Sequence, residues 1–358
     1  MSKRLLITGG AGFVGSSLAL MFRKSHPDWQ IVCFDNLKRR GSELNLDRLH
    51  RGSITFRHGD VRNRSDLDDL GKVDTIIECS AEPSALAGLD GNASYVIDTN
   101  LGGTINCLEM ARRHQANLVF LSTSRVYPYE ALNSVPFVET STRFKWRLDP
   151  KRASISEEGV SETFGLEGAR TLYGATKLCA ELLLGEYVAM YAVPAVINRC
   201  GVLTGPWQMG KVHQGFAVLW TARHHFGASL SYVGFGGQGK QVRDIMHVED
   251  LFELLELQLK DMSHHSGQCY NVGGGRESSV SLLELTDLCR QATGKRIPIH
   301  TEAVTRPGDV RIYLSDTAKV SASTGWKPRW TVERIVESIA GWVKDREREL
   351  RPILGIEH

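Results

Sequence analysis

Seven residues near the amino end, Gly9-Gly10-Ala11-Gly12-Phe13-Val14-Gly15, restrict the fold of this chain more than any others. The apolar run Leu5-Leu6-Ile7 ahead of them reads as a buried parallel strand. Behind them Phe13, Val14, Leu18 and Phe22 recur at helical spacing. In such a strand–turn–helix, Gly9 allows the tight turn, Gly12 lets a pyrophosphate approach the backbone, and Gly15 lets helix and sheet pack closely. The pyrophosphate would sit on free N–H groups at the helix N-terminus. A second strand over residues 31–34 ends in Asp35, about twenty residues past Gly15. A carboxylate there accepts hydrogen bonds from ribose hydroxyls and repels a 2′-phosphate, so the pattern predicts NAD rather than NADP.

Alternating strands and helices continue beyond this unit, which predicts an α/β chain with a doubly wound parallel (Rossmann) sheet. Further strands are expected at residues 53–58, 74–79, 117–122 and 195–200, and helices at 65–70, 100–113 and 173–191. From 143 to 162 the charge density rises and periodicity fades, as in an irregular excursion near an active site. After Gly205-Pro206 the chain becomes Gly- and aromatic-rich, the start of a smaller, interleaved C-terminal lobe. A helix is expected again at 250–259 and a returning strand at 269–272. Thr331 reads as the N-cap of a last helix, with Val332, Ile335, Val336, Ile339, Trp342 and Val343 on one apolar stripe. The expected division is residues 1–200 and 241–275 for NAD, and 201–240 and 276–358 for substrate.

The 358 residues suffice for such a pair of domains. A net charge of +2 gives no reason to expect nucleic acid or a membrane surface as partner. Seven cysteines without a Cys-x-x-Cys pair suit a reducing cytoplasm better than a disulfide framework. Cys79 and Cys200 read as small buried residues. No His, Cys or carboxylate cluster has metal-ligand spacing, so no metal site is expected. The apolar run before the glycines is too short for a signal segment, and no stretch approaches a membrane span.

The second chemical motif is Tyr173-Gly174-Ala175-Thr176-Lys177. Four residues of helix turn through about 400°, so phenol and ammonium share one face. A phenol with a pKa near ~10 is a poor base at neutral pH. A nearby Lys and a positive nicotinamide ring both stabilise phenolate and bring it toward the working range. Lys177 can also hold the nicotinamide ribose. The strand at 117–122 runs into Ser122-Thr123-Ser124-Arg125-Val126-Tyr127, delivering hydroxyls to a strand's carboxyl end, where open sheets place ligands.

Together these segments resemble the extended short-chain dehydrogenase/reductase superfamily of nucleotide-sugar epimerases and dehydratases. The resemblance implies that Thr123 hydrogen-bonds the oxygen being oxidised, and that Asp60 of Gly59-Asp60-Val61 reaches the adenine. It also implies cofactor contacts from Asn36, Val61, Ala81, Asn100 and Ser122; for Asn100 a helix N-cap role is an equal alternative. Family dehydratases follow the Thr with Asp and Glu, the acid and base of water elimination. Ser124 and Arg125 stand here instead and cannot shuttle protons in that way, which disfavours dehydration. What remains is reversible oxidation. Residues 155–160, 168–174, 198–211 and 239–250, with Arg306-Pro307-Gly308-Asp309, are similar to the CDP-paratose 2-epimerase subfamily. Val202 replaces an Asn that galactose epimerases of the superfamily use on substrate, which counts against a 4-epimerase of that type.

Guanidinium forks suit diphosphate oxygens, so Arg199, Arg243 and Arg306 are candidate substrate contacts. Trp207 and Lys211 could offer a stacking face and a cation, although Trp207 reads equally as a core residue. Glu82, Ser84, Ser124, Arg125 and Gln214 complete the expected substrate set. The resemblance implies a homodimer formed through the helices at 100–113 and 173–191. The leading expectation is NAD-dependent C2 epimerisation of a CDP-hexose through a transient ketone. A UDP-hexose or UDP-uronate 4-epimerase is the nearest alternative, and a non-catalytic NAD sensor is the alternative of another class.

Overall fold

The computed structural model describes residues 3–84, 86–89, 91–149, 154–211 and 214–354. Its backbone groups into two compact units. The first contains Met1–Val126, Thr171–Arg199 and Leu251–Tyr270; the second contains Tyr127–Arg170, Cys200–Asp250 and Asn271–His358.

The first unit is built on strands β1 (Arg4–Thr8), β2 (Gln30–Asp35), β3 (Thr55–His58), β4 (Thr75–Glu78), β5 (Asn117–Thr123), β6 (Ala195–Cys200) and β7 (Cys269–Val272). They form a seven-stranded parallel sheet in the order β7-β6-β5-β4-β1-β2-β3. Its main helices are α1 (Phe13–Ser25), α2 (Leu44–Arg51), α3 (Arg64–Asp68), α4 (Ala93–Ile97), α5 (Gly103–His114) and α6 (Leu172–Tyr191). Strand order reverses at β1, which pairs with β2 on one side and β4 on the other. That reversal opens a crevice at the carboxyl ends of β1 and β4, the usual ligand site of open α/β sheets.

Local sequence explains these elements. Leu5, Leu6 and Ile7 are fully buried, as a strand covered on both faces requires. The strand expected at 53–58 starts later, at Thr55, because Ser53 turns with φ +53°. The helix expected from residue 100 begins instead with a π-helical turn, Asp98–Gly102, leading into α5. Such one-turn π segments are frequently found at functional sites. Helix α6 is capped by the Thr171 side chain, which accepts from the Gly174 N–H, and stops at Ala192 in the left-handed conformation.

In the second unit, Val242–His247 is the central strand. It pairs with Val202–Thr204, Ser279–Ser281 and Ile312–Tyr313. Leu230–Val233 pairs separately with Ile299–Glu302. The helices Phe216–Phe226, Leu282–Thr293 and Val332–Asp345 pack on one another. Thr331 caps the last of these, and its six stripe residues are all buried. Residues 143–162, read as irregular, contain one strand of a short antiparallel ribbon, Phe137–Glu139 with Phe144–Trp146, and the whole of a second, Ile155–Ser156 with Gly159–Val160. The grouping by contact places Tyr127–Arg170 in this unit, where the reading along the chain assigned it to the NAD domain. Its ribbons bond here: the Phe144 N–H donates to Lys240, and Val160 bridges Ser315.

Candidate active site

The glycine loop begins at the carboxyl end of β1. Gly9 has φ +62°, the left-handed geometry its turn requires. A Cβ on Gly15 would stand 2.3 Å from the Gly9 carbonyl oxygen, so α1 can pack on the loop only with glycine there. Gly10, which the motif left unassigned, lies against Cys33, whose Cβ would be 2.5 Å from an added methyl. Gly12 is the N-cap of α1 and supplies no side-chain cap, so the amides of Phe13 and Val14 open the helix without one. Uncapped N–H groups at a helix N-terminus attract phosphate.

Asp35 ends β2. Its Oδ2 accepts from the Ala11 N–H at 3.1 Å and its Oδ1 from the Leu37 N–H at 2.8 Å. Burial pushes its carboxyl up, and these amides pull it back. The carboxylate therefore ties the glycine loop to the second strand. Asn36 and Asp60 also meet: Asn36 Nδ2 donates to Asp60 Oδ2 at 2.9 Å. Arg62 donates to both Asp60 oxygens and holds this carboxyl down at about 2. Beside them Lys38 and Arg62 stack on the Tyr95 ring at 4.6 and 4.9 Å, a cation–aromatic edge that the motif reading missed. Val61 is buried against Gly103.

Asn100 is not an N-cap. It is fully buried in the π turn, where its carboxamide accepts from the Glu82 N–H at 2.8 Å and donates to the Glu82 carbonyl at 3.2 Å. The same side chain donates to Thr176 Oγ1 at 3.2 Å. It thereby fixes the loop Ala81-Glu82-Pro83-Ser84 to α6, one residue from Lys177. Glu82 Oε1 in turn accepts from the Ser84 N–H at 3.4 Å.

Thr123 lies buried at the end of β5, its hydroxyl accepting from the Arg125 N–H at 3.2 Å. Ser124 and Arg125 follow in a short 3₁₀ turn packed on α6. Tyr173 is in the first turn of α6 and Lys177 is one turn further on. Lys177 Nζ is 3.4 Å from Glu78 Oε2 and 4.4 Å from the centroid of Phe120. The ends of β4 and β5 thus enclose the lysine.

Two expected ligand contacts are engaged elsewhere. Arg199 is buried, with Nε 3.1 Å from each oxygen of Glu181 and Nη2 2.7 Å from Oε2. Ser122 donates to the same carboxylate at 2.5 Å. A charge this far from water must pair internally, so Arg199 serves the core instead of a diphosphate. Glu181 escaped notice, although Tyr173, Lys177 and Glu181 continue one four-residue spacing along α6.

In the second unit Trp207 packs against Trp342 at 5.8 Å, with Arg346 over its ring. Of its two readings this favours the core residue. Lys211 and Gln214 bond to each other through their backbones. Arg243 pairs with Asp309 at 2.9 Å, and Asp309 donates its N–H to the Arg306 carbonyl, closing the Pro-Gly turn. Cys200 is buried and Cys79 half-buried. Among the described residues no cluster could hold a metal, and no helix is long and apolar enough to cross a membrane.

Fold and glycine loop define a dinucleotide enzyme, and the chain belongs to the NAD dependent epimerase/dehydratase family, whose pattern matches residues 5–273. It is similar to the CDP-paratose 2-epimerase of Salmonella typhi, 30% identical over 95% of this chain and 98% of that protein. A dTDP-glucose 4,6-dehydratase from Bacillus anthracis, solved in complex with NAD, superposes with a TM-score of 0.76 at 25% identity, over 98% of this chain and all of the other. The UDP-glucose 4-epimerase of Thermotoga maritima shares the fold, with a TM-score of 0.78 at 21% identity over 96% and 99% of the two chains. The side-chain-free cradle at Gly9, Gly12 and Gly15, the uncapped start of α1 and the carboxylate of Asp35 fit the NAD of this family.

Proposed function

We propose that this enzyme inverts C2 of a CDP-linked hexose through a transient 2-ketone, as an epimerase of nucleotide sugars. The likeness to a CDP-paratose 2-epimerase over nearly the full length of both chains carries the reading. The residues support it: Thr123, Tyr173 and Lys177 suit reversible oxidation of a carbinol, and Ser124-Arg125 offers no acid–base pair for dehydration.

The glycine loop and Asp35 would hold NAD, which when bound would supply the hydride acceptor and donor for the sugar carbon. Tyr173, as phenolate, removes the hydroxyl proton, while Thr123 donates a hydrogen bond to the same oxygen. Lys177 stabilises the phenolate by its charge. Thr123 and Tyr173 then hold the carbonyl oxygen as the ring turns its opposite face. Tyr173 returns the proton, leaving the inverted carbinol with no net redox change. Escape of the ketone would end the cycle, so the loop held by Asn100 has to keep the site closed to water.

In this reading Arg243 and Arg306 grip the diphosphate. Seven cysteines without a Cys-x-x-Cys pair support a reducing cytoplasm. Leu182, Met190 and Tyr191 lie exposed on α6 and support a homodimer through that helix. The test gives the purified protein a panel of CDP-, UDP- and dTDP-hexoses without added cofactor. C2 inversion confined to CDP-sugars is expected. Inversion at C4 of a UDP-sugar, or steady NADH release with added NAD, would replace this reading.

A further inference from the structure

The lysine of the site is almost sealed from water. Lys177 is 1% exposed, and its ammonium meets one carboxylate among the described residues, Glu78. Glu78 is itself 0% exposed. It ends β4, with Thr8 of β1 and Phe120 of β5 as its neighbours in the sheet. Its Oε2 faces Lys177, while its buried Oε1 meets no side-chain partner among the described residues.

A half-paired carboxylate in a core is costly, and an apolar side chain of similar volume is often no less stable. Its presence calls for a functional reason. The groups facing the pair come from four elements: Lys177 from α6, Cys107 from α5, Thr8 from β1 and the Phe120 ring from β5. Burial pushes the Glu78 carboxyl up, and Lys177 pulls it down. Burial and then the charge of Glu78 push the Cys107 thiol well up.

We infer that Glu78 is a positioning residue: as the buried counter-ion of Lys177 it keeps that side chain an ammonium, and through it keeps Tyr173 able to act as a base near neutral pH. This rests on the reading of Tyr173 as the base. A buried ammonium without an anion gives up its proton readily, and a neutral amine does not stabilise phenolate. Sequence position alone does not point to Glu78, which meets Lys177 across 99 residues.

The test compares Glu78→Gln, which keeps the shape and removes the charge, with Glu78→Asp, which keeps the charge. In Glu78→Gln the acid limb of kcat/KM moves to higher pH by about one to two units, and Glu78→Asp restores it. A substrate-free readout accompanies this. The phenolate absorbance of Tyr173, taken as the difference from a Tyr173→Phe background, titrates at higher pH in Glu78→Gln. That titration stays readable if CDP-hexoses prove not to be substrates, so the two readings fail separately. An unmoved phenolate titration in folded Glu78→Gln, or an equal shift in Glu78→Asp, would overturn the inference. If Glu78→Gln does not fold, nitrogen NMR of Lys177 in the unaltered protein decides. An ammonium at neutral pH supports the inference and a neutral amine overturns it.

Discussion

Tyr173 is the base in the proposed mechanism, and its removal is the sharpest test at a single residue. Tyr173→Phe should lower kcat by about 10²- to 10⁴-fold, the usual worth of a general base. NAD affinity, measured by calorimetry, should stay near the original value, because the glycine loop and Asp35 are untouched. Unchanged turnover would remove Tyr173 from the base role. The residues that act through short spacings could be read from sequence: Gly9 to Gly15 and Tyr173 to Lys177 lie within two helical turns of each other. Those that act through folding could not. Glu78 reads as the polar end of a strand until β4 is laid beside α6. Arg199 looks like a phosphate ligand until its fork is seen on Glu181.

At the scale of elements, α6 carries the proposed Tyr–Lys pair and a structural bond. One face presents Tyr173 and Lys177, and the Glu181 carboxylate binds Ser122 of β5 and Arg199 of β6. Removing one partner leaves a buried charge unpaired. Arg199→Met is therefore expected to lower stability by about 3–5 kcal/mol, measured by denaturant unfolding, with KM little changed. A raised KM at undiminished stability would return Arg199 to the substrate. The Glu78–Lys177 pair differs in that one oxygen meets no side-chain partner among the described residues. Replacing both residues, Glu78→Leu with Lys177→Met, should leave the melting temperature unchanged or raise it while turnover is lost. A clear loss of stability would show that the pair is kept for folding. The strand at 195–200 was legible because the apolar residues Ala195, Val196 and Ile197 open it. The π turn at Asp98–Gly102 and the ribbons within residues 127–170 were not, since hydrogen bonds to distant segments determine them.

For the whole molecule, the acid response of the second unit offers an independent check. His247 is buried and stacked on Trp330 at 3.9 Å, its Nδ1 accepting from the Glu249 N–H. Burial, and then Arg334, push it down to about 4. The unfolded chain therefore binds this proton first. The contribution is complete above about pH 6.5, falls as the pH drops toward 4, and amounts to about 3 kcal/mol. His247→Phe, which keeps a ring on Trp330, should flatten stability over that window, and an identical pH slope would refute the assignment. Fold class and cofactor follow from the first thirty-five residues and the family pattern. The sugar does not, because the partners of candidate contacts such as Arg243, which pairs with Asp309, are set by tertiary structure. The central claim is that one carbon is oxidised and reduced again within a single closed site. It is tested most directly with a CDP-hexose deuterated at C2, followed by NMR. Hydride return within the site predicts a C2-inverted product that keeps its deuterium in ordinary water. Loss of the label to solvent during inversion, or inversion at another carbon, would contradict it.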